Sequence, residues 1–185
     1  MERPFLEGFS HRLATGADTD EIAALMDAAI GELQRGFLSP EQVAVSRSIM
    51  GLDRQLIADG SYFVVHAAAS GQLAACGGWS HRATLYGGDH STAQRNAALL
   101  RIGEDAARIR AMYTHPEFVR RGLGRHVLSV CEQAARDAGF TRAELMATLA
   151  GEPLYRACGY EEIERIISAS VDGVDVPGLR MGKAL

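Results

Sequence analysis

The sequence lacks any apolar run that approaches the roughly 18 residues of a membrane-spanning helix. Residues 1–4 also do not begin the charged-then-apolar pattern of a secretory signal. Cysteine is scarce: Cys76, Cys131 and Cys158 stand in apolar contexts without metal-like spacing. Such cysteines are expected to be buried thiols in a reducing compartment, and neither a disulfide nor a nucleophile. The sequence therefore predicts a cytoplasmic protein with no membrane contact and no metal.

A strong charge of one sign is also missing. The formal net charge is −4 at pH 7, so nothing global predicts a nucleic-acid partner, and the basic cluster at 120–125 is local. The chain has 185 residues, 47% of them hydrophobic and 23% charged, which is enough for one domain with a sizeable core. No repeat or linker divides it. We therefore expect a lead-in at residues 1–9 and a single domain over residues 10–185.

Capping and turn residues divide the chain into helices and strands. Asp20 is a good N-cap for a first helix, and the Ser-Pro-Glu-Gln run at 39–42 is typical of the start of a second. Turns at 59–60 and 70–71 bound two apolar strands and predict a hairpin. The predicted strands are 11–15, 62–68, 73–80, 107–114, 142–147, 160–167 and 174–181, and two further helices are predicted at 122–138 and 151–158.

A basic glycine turn lies between the strand 107–114 and the helix that follows it. Its sequence is Arg120-Arg121-Gly122-Leu123-Gly124-Arg125. The two glycines let backbone N–H groups approach a ligand without interference from a Cβ atom. The helix start aims unpaired N–H donors and a partial positive charge at the same point, so the turn predicts a phosphate or pyrophosphate site. The alternative is a glycine turn at the start of a solvated basic helix.

The spacing of residues in the turn narrows the choice of phosphate-containing ligand. Val127 stands where a dinucleotide fingerprint has its third glycine, and a Walker loop would need Gly-Lys-Ser/Thr. The run Arg-Arg-Gly-Leu-Gly-Arg resembles the acetyl-CoA motif of the GNAT N-acetyltransferase superfamily, Gln/Arg-x-x-Gly-x-Gly/Ala. Val119 departs from the first position of that pattern. Since the family binds pyrophosphate largely through backbone amides, the resemblance survives this departure.

A second segment carries the same resemblance. The run Leu-Tyr-Arg-Ala-Cys-Gly-Tyr at 154–160 is similar to the family's Leu-Tyr-x-x-x-Gly-Phe/Tyr element and follows the first motif after one more strand. The resemblance implies an α/β (α+β) fold. Its sheet is mixed and mostly antiparallel, has six to seven strands flanked by about four helices, and is splayed open at its middle.

The resemblance also implies where acetyl-CoA binds, in the splay between the strands 107–114 and 142–147. The backbone of Met112, Tyr113 and Thr114 would hold the pantetheine arm like an added strand, and an N–H near Met112 would face the thioester oxygen. Thr148 stands where the family often has an asparagine that bonds to the pantetheine. Tyr155 matches the tyrosine that protonates the departing thiolate, and its alternative role is a packing residue in the wall.

A general base is harder to assign from the sequence. The candidates are His81, Glu104, Asp105 and Glu144, and in many such enzymes the amine proton leaves through water instead. Trp79, Tyr62 and Phe63 are candidates for the wall of an acceptor pocket, with core packing as the alternative, above all for Phe63. The segment 81–106 has no helical or strand periodicity, so we expect a mobile lid over the amine site. Its groups able to bond an acceptor are Tyr86, Asp89, His90 and Arg95.

These observations leave three functions to weigh. The leading one is acetyl transfer from acetyl-CoA to a primary amine of a small molecule or a protein. The second is a non-catalytic acyl-CoA-binding sensor or interaction module, and the third is a nucleotide-binding protein that uses the glycine turn. Dimers are frequent in the family, which leaves a homodimer open.

Overall fold

The fold was analysed in a computed structural model that describes residues 6–185. This part of the chain forms five α-helices and seven β-strands. In chain order they are β1 (Phe9–Leu13), α1 (Thr19–Leu33), α2 (Pro40–Ser46), α3 (Arg54–Ala58), β2 (Tyr62–Ala67), β3 (Leu73–Ser80), β4 (Ala107–Thr114), α4 (Leu123–Asp137), β5 (Arg142–Ala147), α5 (Glu152–Ala157), β6 (Glu161–Val171) and β7 (Val174–Ala184).

The strands form one seven-stranded sheet in the order β1-β2-β3-β4-β5-β7-β6. All neighbouring pairs are antiparallel except β4 and β5, which are parallel. The sheet confirms the predicted mixed, mostly antiparallel α/β fold. Strand β1 begins at Phe9, inside the predicted lead-in, and residues 1–5 of that lead-in lie outside the described residues.

Strands β4 and β5 separate soon after they start. Their Cα register is limited to Ala107 with Ala143 and Arg108 with Glu144. From there β5 remains fully paired with β7 on its other edge, and β4 remains paired with β3. A gap therefore opens between the carboxyl halves of the two central strands.

Helix α4 packs on β3 and β4 beside this gap. Its core-facing residues are Leu123, Val127, Leu128, Cys131 and Ala135. One buried position was missed by the apolar pattern: Glu132 is 6% exposed, and its two carboxylate oxygens lie 2.9 and 3.0 Å from Lys183 Nζ. The ion pair links α4 to β7, so a charge on a helix face that looked purely apolar has a partner in the sheet.

Several turns follow their residue types closely. Ser39 and Gln42 form the predicted capping box at the start of α2, with Pro40 as its first residue. At the β6–β7 hairpin, Asp172 and Gly173 both have positive φ, 50° and 81°, as a two-residue hairpin turn requires. Helix α3 was not predicted. It has five residues, too few to produce a helical periodicity, and Asp53 caps it.

The described residues include no helix whose length and apolar character would let it cross a bilayer. The three cysteines are free thiols; Cys76 and Cys131 are buried, whereas Cys158 is only partly buried.

This difference in burial predicts selective thiol labelling. Burial raises the pKa of Cys76 to about 12 and also raises the pKa of Cys131, so neither forms the reactive thiolate near neutral pH. Iodoacetamide should add one label per chain to the folded protein, at Cys158, and three in denaturant. Intact-mass spectrometry measures the count, and Cys158→Ser should take no label when folded. Two or more labels on the folded wild type would contradict the burial of these thiols.

Candidate functional site

A cavity of about 780 Å³ occupies the gap between β4 and β5. One end, here called the glycine end, is lined by the turn at 122–125 and the start of α5. The other, here called the α1–α2 end, is lined by the ends of α1 and α2, the loop residues 85–88 and the β6–β7 hairpin. The cavity therefore joins the two motifs found in the sequence to a second compartment.

Strand β4 presents a free backbone edge to the cavity. The N–H of His115 bonds to the carbonyl of Ala74 in β3 at 2.8 Å. Successive peptide groups of a strand point to opposite edges, so the N–H groups of Met112 and Thr114 point away from β3, towards the gap. Tyr113 has its N–H towards β3 and its side chain in the cavity wall. Met112 and Thr114 are thus the backbone positions able to pair with an extended ligand.

A bulge in β4 sets the direction of these groups. Ala111 has a φ of 51°, a conformation that costs a non-glycine residue about 1–3 kcal/mol, and the β3–β4 register shifts opposite it, between Cys76 and Gly78. The phenol of Tyr62 donates a 2.7 Å hydrogen bond to the Ala111 carbonyl. The bulge was not predicted from the sequence, although the glycine pair at 77–78 in a central strand signals a close backbone approach. Tyr62 therefore holds the backbone of β4 in place and is not one of the residues that line the cavity.

The glycine turn has the geometry of an anion site. Gly122 is the N-cap of α4 with a φ of 82°, and a Cβ added at Gly124 would lie 2.9 Å from Leu154 Cδ2. The N–H groups of the first turn of α4, including those of Leu123 and Gly124, have no partner within the helix. These donors and the positive end of the helix dipole meet at the glycine end of the cavity.

The three arginines of the turn have different surroundings. Arg120 and Arg125 line the cavity. Arg121 is exposed and lies outside the cavity wall, with its guanidinium 5.3 Å from the ring centre of Phe118. The structure thus brings two of the three predicted arginines to the glycine end.

Thr148 and Tyr155 both line the cavity, across the gap from β4. The Thr148 hydroxyl oxygen accepts a 3.1 Å hydrogen bond from the N–H of Gly151, which leaves its hydrogen available to a ligand. Tyr155 is 8% exposed and packs edge-on against Tyr160 with ring centres 5.9 Å apart. Burial raises the pKa of the Tyr155 phenol, so the group stays protonated near neutral pH.

The α1–α2 end is mostly apolar. Its wall includes Ile30, Leu33, Phe37, Ile49, Met50 and Val176. Buried among them is Gln34, 4% exposed, whose amide nitrogen lies 3.4 Å from the hydroxyl of Ser46 and whose amide oxygen has no partner in the described chain. This end suits a small apolar group.

No predicted base lies in the cavity wall. Over residues 6–185 the lining contains no aspartate, glutamate, histidine or lysine. Glu144 is held by Arg108 and Arg180, each with a nitrogen 2.7 Å from one carboxylate oxygen. Glu104 and Asp105 lie near Arg101, with Glu104 2.6 Å from it. Their charges are thus used in ion pairs outside the cavity.

The aromatic residues predicted for the wall of an acceptor pocket also lie outside the cavity wall. Trp79 packs against Phe140 and His81, with ring centres 6.1 Å apart in both pairs. Neither Trp79 nor His81 lines the cavity. Trp79 is therefore a packing residue, and the α1–α2 end of the cavity is lined instead by residues of α1, the end of α2 and β7.

The segment between β3 and β4 borders the cavity only through residues 85–88, which include Tyr86. Three of its charged side chains tie it to α3 and its flanks: Arg82 to Asp59, Asp89 to Arg54 and Arg95 to Asp53. His90 lies 3.0 Å from the carbonyl of Arg47. Of the four groups expected to face an acceptor, only Tyr86 does so, and the mobility of the segment stays a prediction.

A buried charge cluster lies under the α1–α2 end. Arg110, in β4 and in the cavity wall, and Arg95 each approach the same oxygen of Asp53 at 2.8 Å. The side chains of Arg110 and Asp53 are 3% and 1% exposed. Arg110 also donates to the carbonyl of Gly87. This cluster has no signature in the sequence, because its members come from three separate segments.

One group of potential metal ligands is present in the described residues: Asp18, Glu21 and His66. Asp18 already binds Arg12 through both oxygens, at 2.7 and 2.8 Å, and Glu21 accepts from the N–H of Leu73 at 3.1 Å. None of the three lines the cavity.

Comparison with known proteins points to one family. Residues 24–160 match the family model described as the acetyltransferase (GNAT) family. A search of curated protein sequences gave no match.

Solved structures share the fold over nearly the whole chain. A GCN5-related N-acetyltransferase from Rhodopseudomonas palustris is 20% identical, with a TM-score of 0.67 and 99% of each chain covered. A ribosomal-protein-alanine N-acetyltransferase from Brucella melitensis is 17% identical, with a TM-score of 0.62 over 95% of this chain and 99% of the other. A PaiA N-acetyltransferase from Thermoplasma acidophilum, in complex with coenzyme A, is 13% identical, with a TM-score of 0.61 over 96% and 99% of the two chains.

Proposed function

Because the chain belongs to the GNAT acetyltransferase family, we propose that it transfers an acetyl group from acetyl-CoA to a primary amine by direct attack in a ternary complex. The observation that carries this proposal is the continuity of the cavity. A single space joins an anion-binding glycine turn, a free strand edge, a buried tyrosine and a second, apolar compartment. Two substrates can therefore meet inside it.

The residues of the glycine end fit acetyl-CoA. The N–H groups of Gly122, Leu123 and Gly124 at the start of α4, with Arg120 and Arg125, would hold the pyrophosphate. The outward peptide groups of Met112 and Thr114 would pair with the amides of the pantetheine arm, as in strand addition. Thr148 has a hydroxyl hydrogen to donate from the opposite wall.

Acetyl-CoA would supply the thioester whose carbonyl carbon accepts the amine. The N–H of Met112, fixed in direction by the bulge at Ala111 and by the hydrogen bond from Tyr62, is placed to donate to an oxygen that gains negative charge. A preorganised donor of this kind contributes roughly 3 kcal/mol in comparable sites. Because the strained bulge is held from below, this donor needs no rearrangement during the reaction.

Tyr155 is the proton donor in this proposal. Its phenol lines the cavity and is protonated near neutral pH, so its hydrogen is available to the departing thiolate. The amine proton, in turn, would leave to water, since the described wall holds no carboxylate or imidazole. The rate would then depend mainly on proximity and on charge stabilisation.

Acetyl-CoA, CoA and ATP distinguish the competing functions. Calorimetry should show CoA binding and no comparable ATP binding, and thiol release should exceed the hydrolysis background when acetyl-CoA is given with a panel of amines. CoA binding without amine-dependent release would favour the acyl-CoA sensor, and ATP binding without CoA binding would favour a nucleotide-binding protein.

The arginines of the turn are expected to contribute unequally to CoA affinity. Arg125 lines the cavity, so Arg125→Ala should weaken CoA binding roughly 10- to 100-fold, as for the loss of a charge-assisted hydrogen bond worth about 1.5–3 kcal/mol. Arg121→Ala is the matched control. Because Arg121 lies on Phe118 outside the wall, its effect should be small and should vanish at high salt. Calorimetry at two salt concentrations measures both, and equal losses at high salt would contradict the assignment.

The remaining predictions are part of the same proposal. The acceptor is an amine of a small molecule or of a protein, the protein acts in the cytoplasm, and no metal takes part. Size-exclusion chromatography with light scattering tests the homodimer.

A further inference from the structure

The charged side chains in the described wall of the cavity are all arginines. Arg120 and Arg125 lie at the glycine end, where an anionic coenzyme would neutralise them. Arg110 lies under the α1–α2 end. An acceptor in this end would therefore meet a positive charge and no carboxylate from the wall. Polyamines and aminoglycosides, which carry several positive charges, would be repelled there.

The charge of Arg110 is only partly balanced. Asp53 is the one carboxylate in its cluster, and Arg95 approaches the same carboxylate oxygen. Two guanidinium groups and one carboxylate leave one net positive charge in a largely buried cluster. Burial lowers the pKa of Arg110, and the charge of Arg95 adds to this lowering despite the opposing effect of Asp53. A negative group from a ligand would complete the balance.

Arg110 has donors left for such a group. Its contacts with the described residues, to Asp53 and to the Gly87 carbonyl, are both made by Nη2. A guanidinium carries five N–H donors, and those on Nε and Nη1 make neither of these contacts, so they remain able to donate charge-assisted hydrogen bonds to a carboxylate. Because Asp53 and Gly87 fix the guanidinium, little side-chain entropy would be lost on binding.

The rest of the α1–α2 end favours an acceptor with an apolar side chain. Its wall is mostly aliphatic, with side chains from α1, from residues 49–50 after α2 and from β7, and Phe37, 51% exposed, stands at its border. Burying an apolar side chain there is favourable, whereas a cationic side chain would find no carboxylate in the described wall and only neutral acceptors such as the Gln34 amide oxygen.

On the basis of the transferase function proposed above, we propose that the acceptor is an apolar α-amino acid, with its carboxylate on Arg110 and its side chain in the α1–α2 end. The amino nitrogen forms a C–N bond to the acetyl carbon as the C–S bond breaks. The amine loses its proton to water, and the thiolate takes one from Tyr155. The nearby positive charge favours the neutral amine, which is the reactive form.

Matched amines test this assignment. Thiol release from acetyl-CoA is measured with L-leucine, L-methionine and L-phenylalanine, with L-phenylalaninamide and phenethylamine as analogues without the carboxylate, and with spermidine. At least one of the amino acids should exceed all three carboxylate-free amines in kcat/KM by at least roughly 100-fold. The amide is a stringent control because its amino group has a lower pKa and is more often neutral.

Variants of Arg110 test whether this residue binds the carboxylate of the acceptor. Arg110→Gln should remove the preference for the amino acid over its amide, mainly through KM, and Arg110→Lys should retain part of it. Arg82→Gln is the control, since Arg82 is also paired with an aspartate, Asp59, whose side chain is 8% exposed, but lies outside the cavity wall. Arg82→Gln should keep the full preference. If Arg110→Gln fails to fold, as judged by thermal melting, the wild-type protein still tests the acceptor class through the comparison of the amino acid with its amide.

The outcomes separate this inference from the function on which it rests. If CoA binds and spermidine or phenethylamine is the better acceptor, the transferase stands and the amino-acid assignment falls. If CoA binds and no amino acid releases thiol, the assignment also falls. If CoA does not bind at all, the proposed function itself fails. Preservation of the acid preference in folded Arg110→Gln would overturn the role of Arg110.

Discussion

Gly124→Val should lower CoA affinity by at least roughly 100-fold. A Cβ at this position would stand 2.9 Å from Leu154 Cδ2, so the valine branches have little space next to α5 and would project into the glycine end. The substitution also fills the region in which backbone N–H groups must approach the pyrophosphate. Isothermal titration with CoA measures the change.

The control for this prediction is Gly16→Val. A Cβ added at Gly16 meets no atom within 4 Å, and Gly16 does not line the cavity. It should leave CoA affinity unchanged. Gly124→Ala should have a smaller effect than the valine, since Leu154 can rotate away from a single methyl group. Unchanged affinity in a folded Gly124→Val would sink the pyrophosphate assignment.

The sequence was most informative where local chemistry decides structure. The α2 capping box and the strand Ala107–Thr114 lie where they were predicted, because each depends on neighbouring residues. The glycine turn belongs to this class as well. Its N-cap at Gly122 needs positive φ, which glycine adopts at little cost.

Features that depend on pairing between distant segments could not be predicted. The bulge at Ala111 requires Tyr62 and the glycines of β3, which are brought to β4 by the sheet register. Arg110, Asp53 and Arg95 are separated by up to 57 residues, roughly a third of the chain, and form one cluster only in the fold. The candidate bases could not be judged from the sequence for the same reason. Glu144, for example, is paired with arginines of β4 and β7, which are distant in the chain.

This division has a consequence for function. The glycine end is built from two contiguous motifs, so the sequence alone indicated its ligand. The α1–α2 end is assembled from short contributions of α1, α2, a loop and a hairpin, none of which has a motif. The acceptor class therefore had to be inferred from the charge and polarity of the assembled wall.

Tyr155→Phe should lower kcat roughly 10- to 1000-fold with little change in CoA affinity. Phenylalanine keeps the ring that packs against Tyr160 and removes only the hydroxyl, so the wall survives while the proton donor is lost. Steady-state kinetics with acetyl-CoA and the best acceptor gives kcat, and calorimetry gives CoA affinity. Until an acceptor is found, slow hydrolysis of acetyl-CoA can serve as the reaction.

Tyr160→Phe is the matched control for this change. Tyr160 is a buried tyrosine that touches the ring of Tyr155 but does not line the cavity. Its loss of a hydroxyl should leave kcat within about threefold of wild type, because no group at the reacting atoms is removed. If Tyr155→Phe lowers CoA affinity and keeps kcat, the hydroxyl is a binding group. If both variants behave like wild type, Tyr155 only packs in the wall, and the departing thiolate takes its proton from water.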